Sequence, residues 1–278
     1  MNQQPEPSNP SGVPIAIRNV SKIFGEDGDT PFVALKHVDV TIPAGQFISV
    51  VGASGCGKST LMLMIAGLLK RSAGDIQVAN RSVSKPITDV GIAFQDHLLL
   101  EFRTAFDNVM LHADIRGIDR GQLERRARDL FAQLRLEHAM QKYPRQLSGG
   151  MRQRVSLIRT LVHEPSVILM DEPFGALDAL TRLQVRLDLE TLWLRRRPTV
   201  VFITHSVEEA VGLSDRILVM SPSPGEVVDD IIVDLPRPRP IVLGDAPEFS
   251  ASVDRIHRQF QRMGVLHGST LPPVAASR

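Results

Sequence analysis

The chain has 278 residues, a formal net charge of +1 and 43% apolar residues, enough for one large α/β domain or two small ones with a sizeable core. The near-zero charge and the single Trp193 and Tyr143 give no electrostatic or base-stacking case for nucleic acid. One cysteine, Cys56, excludes an internal disulfide framework and suits a reducing compartment, and no apolar run approaches the roughly 20 residues that a bilayer span requires.

Residues 1–13 are polar and Pro/Ser-rich, without the basic start and apolar centre of a secretion signal, and are expected to form a disordered tail. Ile15 and Ile17 alternate with Ala16 and Arg18 as in a half-buried strand. An acidic, Gly-containing turn runs through Asp29, after which Val38, Val40 and Ile42 alternate with Asp39 and Thr41 as a second strand. Pro43-Ala44-Gly45 then turns the chain into the apolar stretch Phe47–Val51, and Leu61–Leu69 reads as a buried helix. Short strands are expected around Asp75–Val78 and Val90–Phe94.

Residues 96–160 change to helical patterning. Asp119 with Gln122 forms a capping pair, and Leu123, Ala127, Leu130, Phe131 and Leu134 share one helical face, with Arg125, Arg126 and Arg128 mostly on a solvated one. Ser148 is an N-cap candidate for a helix with the stripe Met151, Val155, Ile158 and Val162, ended by Pro165. Val167–Met170, closed by Asp171-Glu172, is the continuous run of a strand buried on both faces. Leu180, Leu183, Leu187 and Leu194 mark a long helix. Thr199–Ile203 is another buried strand, ending at Thr204-His205. An acidic helix (Val207–Val211), strands at Ile217–Met220 and Val227–Leu235, a stiff extended connector Pro236-Arg237-Pro238-Arg239-Pro240 and a helix Ser250–Met263 complete the chain. The alternation predicts a core sheet interrupted by a helical subdomain.

Four stretches carry chemistry. Gly52-Ala53-Ser54-Gly55-Cys56-Gly57-Lys58-Ser59-Thr60 fits G-x-x-x-x-G-K-[ST], set between a strand and a helix. The first helical N–H groups lack internal partners and face anions, the glycines let backbone wrap phosphate oxygens, Lys58 reaches the outer phosphates and the Ser59 hydroxyl suits Mg²⁺. Asp171 and Glu172 end a strand at the edge where such sheets bind ligands, Asp171 for Mg²⁺ through its hydration shell and Glu172 as general base toward water. His205 and Gln95, each ending a neighbouring strand, are candidates to touch the terminal phosphate, the metal or the attacking water. Leu147-Ser148-Gly149-Gly150-Met151 opens a helix with Ser and two Gly, a second anion-binding start that suggests a nucleotide held by another subunit. Cys56, inside the loop, is either a small residue that fits there or a thiol whose pKa the helix N-terminus lowers, which predicts block by thiol reagents.

Together the loop, Asp171-Glu172, Ala176-Leu177-Asp178, Thr204-His205 and above all Leu147–Met151 resemble the nucleotide-binding subunit of an ATP-binding cassette transporter, over Ile15 to about Leu243. The resemblance implies an α/β fold: a P-loop ATPase core with a mostly parallel sheet, an N-terminal antiparallel β subdomain and an inserted helical subdomain at about 96–160. The cassette would span 14–243, with a C-terminal helix and mobile tail at 244–278. It further implies ATP and Mg²⁺ as ligands and Phe24 as the aromatic stacking on adenine, a position a core Phe could also hold. Two copies would close head to tail, with Ser148, Gly149 and Gly150 acting in trans. Implied partners are transmembrane permease subunits and, indirectly, a solute-binding protein, at the cytoplasmic face of a bacterial inner membrane. Asp171–Asp178 and Asp234-Leu235-Pro236-Arg237-Pro238-Arg239 are most similar to importers of nitrate, sulfonates and taurine. Those relatives usually carry Leu-Leu-Pro-Trp where this chain has Leu99-Leu100-Glu101-Phe102, in the region facing the membrane partner. A soluble cassette ATPase of repair or translation is the alternative. It is disfavoured by the lack of a heptad arm, the single Cys and the single phosphate loop.

Overall fold

The computed structural model describes residues 10–25, 30–175, 177–244 and 246–266. The expected N-terminal tail up to residue 9, the acidic turn through Asp29, Ala176 and the chain end beyond residue 266 lie outside the described residues. In chain order the elements are β1 (Ile15–Phe24), β2 (Phe32–Ile42), β3 (Phe47–Gly52), α1 (Lys58–Ile65), β4 (Ala73–Val78), β5 (Arg81–Ser82), β6 (Val90–Ala93), α2 (Ala105–Arg116), α3 (Arg120–Gln133), α4 (Gly149–Leu161), β7 (Val167–Asp171), α5 (Ala179–Arg196), β8 (Thr199–Ile203), α6 (Val207–Leu213), β9 (Arg216–Met220), β10 (Val227–Ile232) and α7 (Pro247–Arg262).

Two sheets organise them. The larger runs β10-β9-β3-β8-β7-β6, parallel except for the β10 edge, and the smaller, β2-β1-β4-β5, is antiparallel throughout. Helices cover both faces of the parallel sheet, so β3 and β8 are buried at every residue, as their unbroken apolar runs require. Helix α1 is wedged between the sheets: Met62 and Ile65 share one apolar cluster with Ile17, Val38 and Val40 of the smaller sheet and with Leu169, Val201 and Leu218 of the larger. On the opposite face Phe47, Phe202, Phe174 and Trp193 pack with Val185 and Leu189. Helices α2, α3 and α4 close an apolar cluster of their own around Val109, Leu123, Phe131, Val155 and Ile158.

Several boundaries and faces differ from the sequence reading. The apolar run to Leu69 is helical only to Ile65, because Gly67 turns at φ +73° against the Lys85 carbonyl and leaves Leu68 half exposed. Helix α5 buries Val185, Leu189 and Trp193 rather than the Leu180 stripe, and Leu180 is 79% exposed. Strand β10 stops at Ile232. The Pro236–Pro240 segment, expected only as a stiff extended connector, is tied down: the side chains of Arg237 and Arg239 are buried against α5 and α6.

Between α2 and the end of α4, His112 and His163 stack with ring centroids 4.3 Å apart. Burial first, then the charges of Arg116 and, for His163, its neighbour His112, hold them down to about 4 and about 3 respectively. Arg159 also faces His112, and Asp89 and the Val90 carbonyl face His163, the last two working in the opposite direction. Both folded values lie below the unfolded one, so the unfolded chain binds more protons once the pH drops under ~6.5. Stability is therefore full above that pH and is lost as pH falls toward 4. Urea midpoints measured from pH 7 to pH 5 are expected to fall, and the double replacement of His112 and His163 by Gln to flatten the slope.

Candidate functional site

The carboxyl ends of β3, β7 and β8 meet at one edge of the parallel sheet, fixed by the register that pairs Val50 with Ile203 and Asp171 with Ile203. The chain leaves β3 at Gly52 and re-enters helix at Lys58 through a loop held by left-handed glycines, Gly55 at φ +75° and Gly57 at φ +93°. A side chain at Gly57 would strike Leu35 and the Ala34 carbonyl, whereas the space over Gly55 is open. Gly55 thus leaves room for a ligand to approach the backbone closely, and Gly57 lets the smaller sheet pack against the loop. Lys58 is 6% exposed, and its Nζ donates to the carbonyls of Gly52 (3.0 Å) and Ala53 (2.9 Å), centring a positive charge inside the loop.

Cys56 is completely buried, and burial pushes its thiol above the ordinary range despite Lys58 Nζ at 3.7 Å. This overturns the expectation of a reactive thiolate: desolvation outweighs the helix terminus and the lysine. Cys56 meets the loop through its backbone, whose N–H donates to the Ala53 carbonyl. Alkylation by iodoacetamide is accordingly expected to be slow in the folded protein and rapid in urea, as read by mass spectrometry.

Asp171 lies at the last position of β7 with its carboxyl raised by burial, an effect opposed by the Ser59 hydroxyl, reinforced by Glu172 and opposed by Lys58. Glu172 adopts φ +46°, uncommon for a residue other than glycine, and its N–H donates to the Ile203 carbonyl at 2.9 Å. That turn separates the two neighbouring acids: Asp171 stays against Ser59, and Glu172 Oε2 lies 3.1 Å from His205 Nδ1. The His205 side chain is 62% exposed and follows Thr204, whose hydroxyl donates to Glu209 at 2.6 Å. Gln95 lies two residues past the end of β6, exposed, with its amide near Gly175 in the turn after Glu172.

A cleft of about 230 Å³ opens over the loop, lined by Phe24, Phe32, Ser54, Gly55, Lys58, Ser59, Thr60 and Glu172 among others. Phe24 is 39% exposed, which removes the core reading of that residue. Phe32 was not legible as a site residue, because the only signal, an aromatic residue after an acidic turn, is weak until the β1–β2 register places it opposite Phe24. Ser148, Gly149 and Gly150 do not line this cleft. Ser148 caps α4 by accepting from the Met151 N–H, Gly149 is open to solvent, and Gly150 packs on Thr181 so tightly that a Cβ would meet its methyl at 2.3 Å.

A buried lysine in a glycine loop, a helix N-terminus behind it and two divergent acids at the end of β7, one strand removed from β3, define a nucleoside-triphosphate-binding protein of the P-loop class. Residues 35–175 match the ABC transporter family. The chain is 42% identical over 228 residues to the aliphatic sulfonates import ATP-binding protein SsuB 2 of Pseudomonas aeruginosa, covering 82% of this chain and 78% of that protein. It is 41% identical over 251 residues to SsuB of Escherichia coli O6:H1, covering 90% and 92%. Among solved structures, the dimeric ATP-binding cassette MJ0796, in a post-hydrolysis state bound to ADP and Pi, superposes with a TM-score of 0.68 at 31% identity, covering 78% of this chain and 98% of that one. The chain belongs to the ABC transporter family and is one of its ATP-hydrolysing cassettes.

Proposed function

We propose that this chain is the ATPase subunit of a membrane importer for aliphatic sulfonates or closely related small anions. The observation that carries the reading is the 41% identity along 92% of the length of E. coli SsuB, a protein named for sulfonate import. The described residues contain no helix long and apolar enough to cross a membrane, and the membrane path is assigned to separate permease subunits. The chain would then sit peripherally at the cytoplasmic face of the inner membrane. Its contact face toward them would include the turn after Leu99. There Asn108, fully buried, accepts from the Leu100 N–H and donates to the carbonyls of Leu100, Arg103 and Thr104, and Phe102 stands 76% exposed.

In this reading the loop amides from Gly52 to Thr60 and the Lys58 ammonium bind the ATP phosphates, and Phe24 stacks on the base. Among the described residues no cluster of three or more His, Cys, Asp or Glu could hold a metal alone. Ser59 and Asp171 instead offer two hard oxygens side by side, which fits a Mg²⁺ whose shell is completed by phosphate and water. The metal would neutralise phosphate charge. Glu172 takes the proton of the attacking water, His205 holds that carboxylate and the terminal phosphate in line, and Gln95 reaches the same point from the β6 side. Ser148, Gly149 and Gly150 stand apart from their own chain's cleft, which supports their use in trans on the nucleotide of a second copy.

The test is reconstitution in proteoliposomes with the permease and solute-binding protein of an aliphatic sulfonate importer. ATP hydrolysis and uptake are expected to rise together when the binding protein carries an alkanesulfonate. Uptake of an unrelated cargo, with no response to sulfonates, would reject the cargo assignment.

A further inference from the structure

We infer that Phe32 is a second base-contacting residue, which with Phe24 forms a two-ring platform that grips the nucleotide base by its face alone. The inference rests on the nucleotide reading of the cleft and goes beyond it. Phe24 and Phe32 are cross-strand partners in the antiparallel β1–β2 ladder. Directly opposed residues project from the same side of the sheet, so the two rings share one face. Both are exposed, at 39% and 52%, and both line the cleft that holds Lys58 and Ser59 at its other end. Ala34, the extra residue where the β1–β2 register shifts, also lines the cleft, and its carbonyl lies against Gly57 of the loop, so the strand that carries Phe32 runs directly to the phosphate site. A ligand covering these two exposed apolar side chains would remove them from water, which favours its binding.

The chemistry of the platform sets what it can read. A phenyl ring offers a π-face and no donor or acceptor, so it stacks on any base and is blind to the purine edge. Lys22 Nζ stands 4.7 Å over the centre of the Phe24 ring, taking one of its faces and leaving the other for the base. Rejection of a base lacking the right edge groups needs polar groups that would be left unpaired, and the two phenyl rings supply none. Binding through Phe32 is also remote from the reacting phosphate. It is made equally in the ground and transition states, and so acts on KM and not on kcat.

The experiment is steady-state hydrolysis of ATP and GTP by the full chain carrying Phe32→Ala, Phe32→Tyr, Phe24→Ala or Lys58→Ala, with folding checked by circular dichroism. Phe32→Ala is expected to raise KM by about tenfold, within the range of one lost base–aromatic stack, by the same factor for ATP and GTP, with kcat at saturation retained. Phe32→Tyr keeps the ring and is expected to restore the parental KM. A KM within twofold of the parent in Phe32→Ala, a penalty differing more than threefold between the two purines, or a loss confined to kcat each overturns the proposal while the nucleotide reading stands. If Phe24→Ala and Lys58→Ala also leave nucleotide binding unchanged, the cleft is not the nucleotide site and both fall together.

Discussion

Glu172→Gln is expected to bind ATP as the parent does, to lose at least ~100-fold in turnover, and to accumulate as an ATP-bound dimer. The factor is that of a general base removed from a positioned water. The substitution is almost isosteric, so it isolates the proposed proton-accepting role from the shape of the site. Glu172 is held by its backbone: the N–H bonds to the Ile203 carbonyl and the residue turns at φ +46°, neither of which depends on the carboxylate. Its side chain meets His205 Nδ1 at 3.1 Å, a contact an amide oxygen can also accept. The left-handed conformation costs a non-glycine residue roughly 1–3 kcal/mol, and strain of this kind persists where the surrounding structure fixes it, characteristically at working sites. Here it turns the second of two consecutive acids away from the first, so that Asp171 faces Ser59 and Glu172 faces His205. The check is size-exclusion chromatography with ATP beside a phosphate-release assay. Parental turnover in the Gln variant would remove Glu172 from the chemistry. A monomer at saturating ATP would remove the proposed two-copy site, in which Ser148–Gly150 of one chain would close over the loop of the other.

The sequence is most readable where one local pattern dictates one environment. The unbroken apolar runs of β3, β7 and β8 require burial on both sides, and the glycine loop requires a strand before it and a helix after. It is least readable where distant residues decide. Leu180, Leu183 and Leu187 recur at helical spacing, yet α5 presents its Val185–Leu189–Trp193 face to the sheet, because Phe47 and Phe202 lie there to receive an indole and not a leucine row. A helix with two apolar stripes does not disclose which one the sheet will take. Cys56 illustrates a conflict of signs: the helix start and Lys58 lower a thiol pKa, burial raises it, and only the packing behind the loop tells which is larger. The pairing of Phe24 with Phe32 needs the register of a hairpin whose turn carries no apolar signal. The basic proline segment reads only as a stiff extended connector because its partners, Glu190 and Asp215, are acids far upstream in the chain.

That segment carries the second large effect. Arg237→Ala is expected to destabilise the protein by about 3–5 kcal/mol, the range for breaking one partner out of a buried pair, and to lower the melting temperature by roughly 10 °C. The Arg237 side chain is 9% exposed and that of Glu190 4%. The guanidinium donates to Glu190 at 2.8 Å, to Asp215 at 2.8 and 2.9 Å, and stacks over Trp193 with its centre 4.4 Å from the ring. Removing it leaves the buried Glu190 carboxylate with the Arg239 N–H at 3.2 Å as its remaining hydrogen-bond donor, the charges of Arg186 and Arg239 acting only from farther off. The consequence reaches the site through Asp215, which accepts from the Phe47 N–H at 2.9 Å and donates its own N–H to the Phe47 carbonyl at 2.8 Å, at the start of the strand that ends in the phosphate loop. Arg239 extends the same clamp to the end of α6, donating to the carbonyls of Val211 in its last turn and of Ser214 just beyond it, where a cation favours the helix end. The double variant Arg237→Met with Glu190→Gln is expected to recover a large part of the loss, because the stranded charge and not the missing attraction is what costs stability. Urea unfolding of the single and double variants measures this directly. A single-variant loss under ~1 kcal/mol, the size of an exposed pair, would mean that water reaches Glu190. Hydrolysis rates near parental well below the transition would keep Arg237 out of the catalytic machinery and in the frame that holds it.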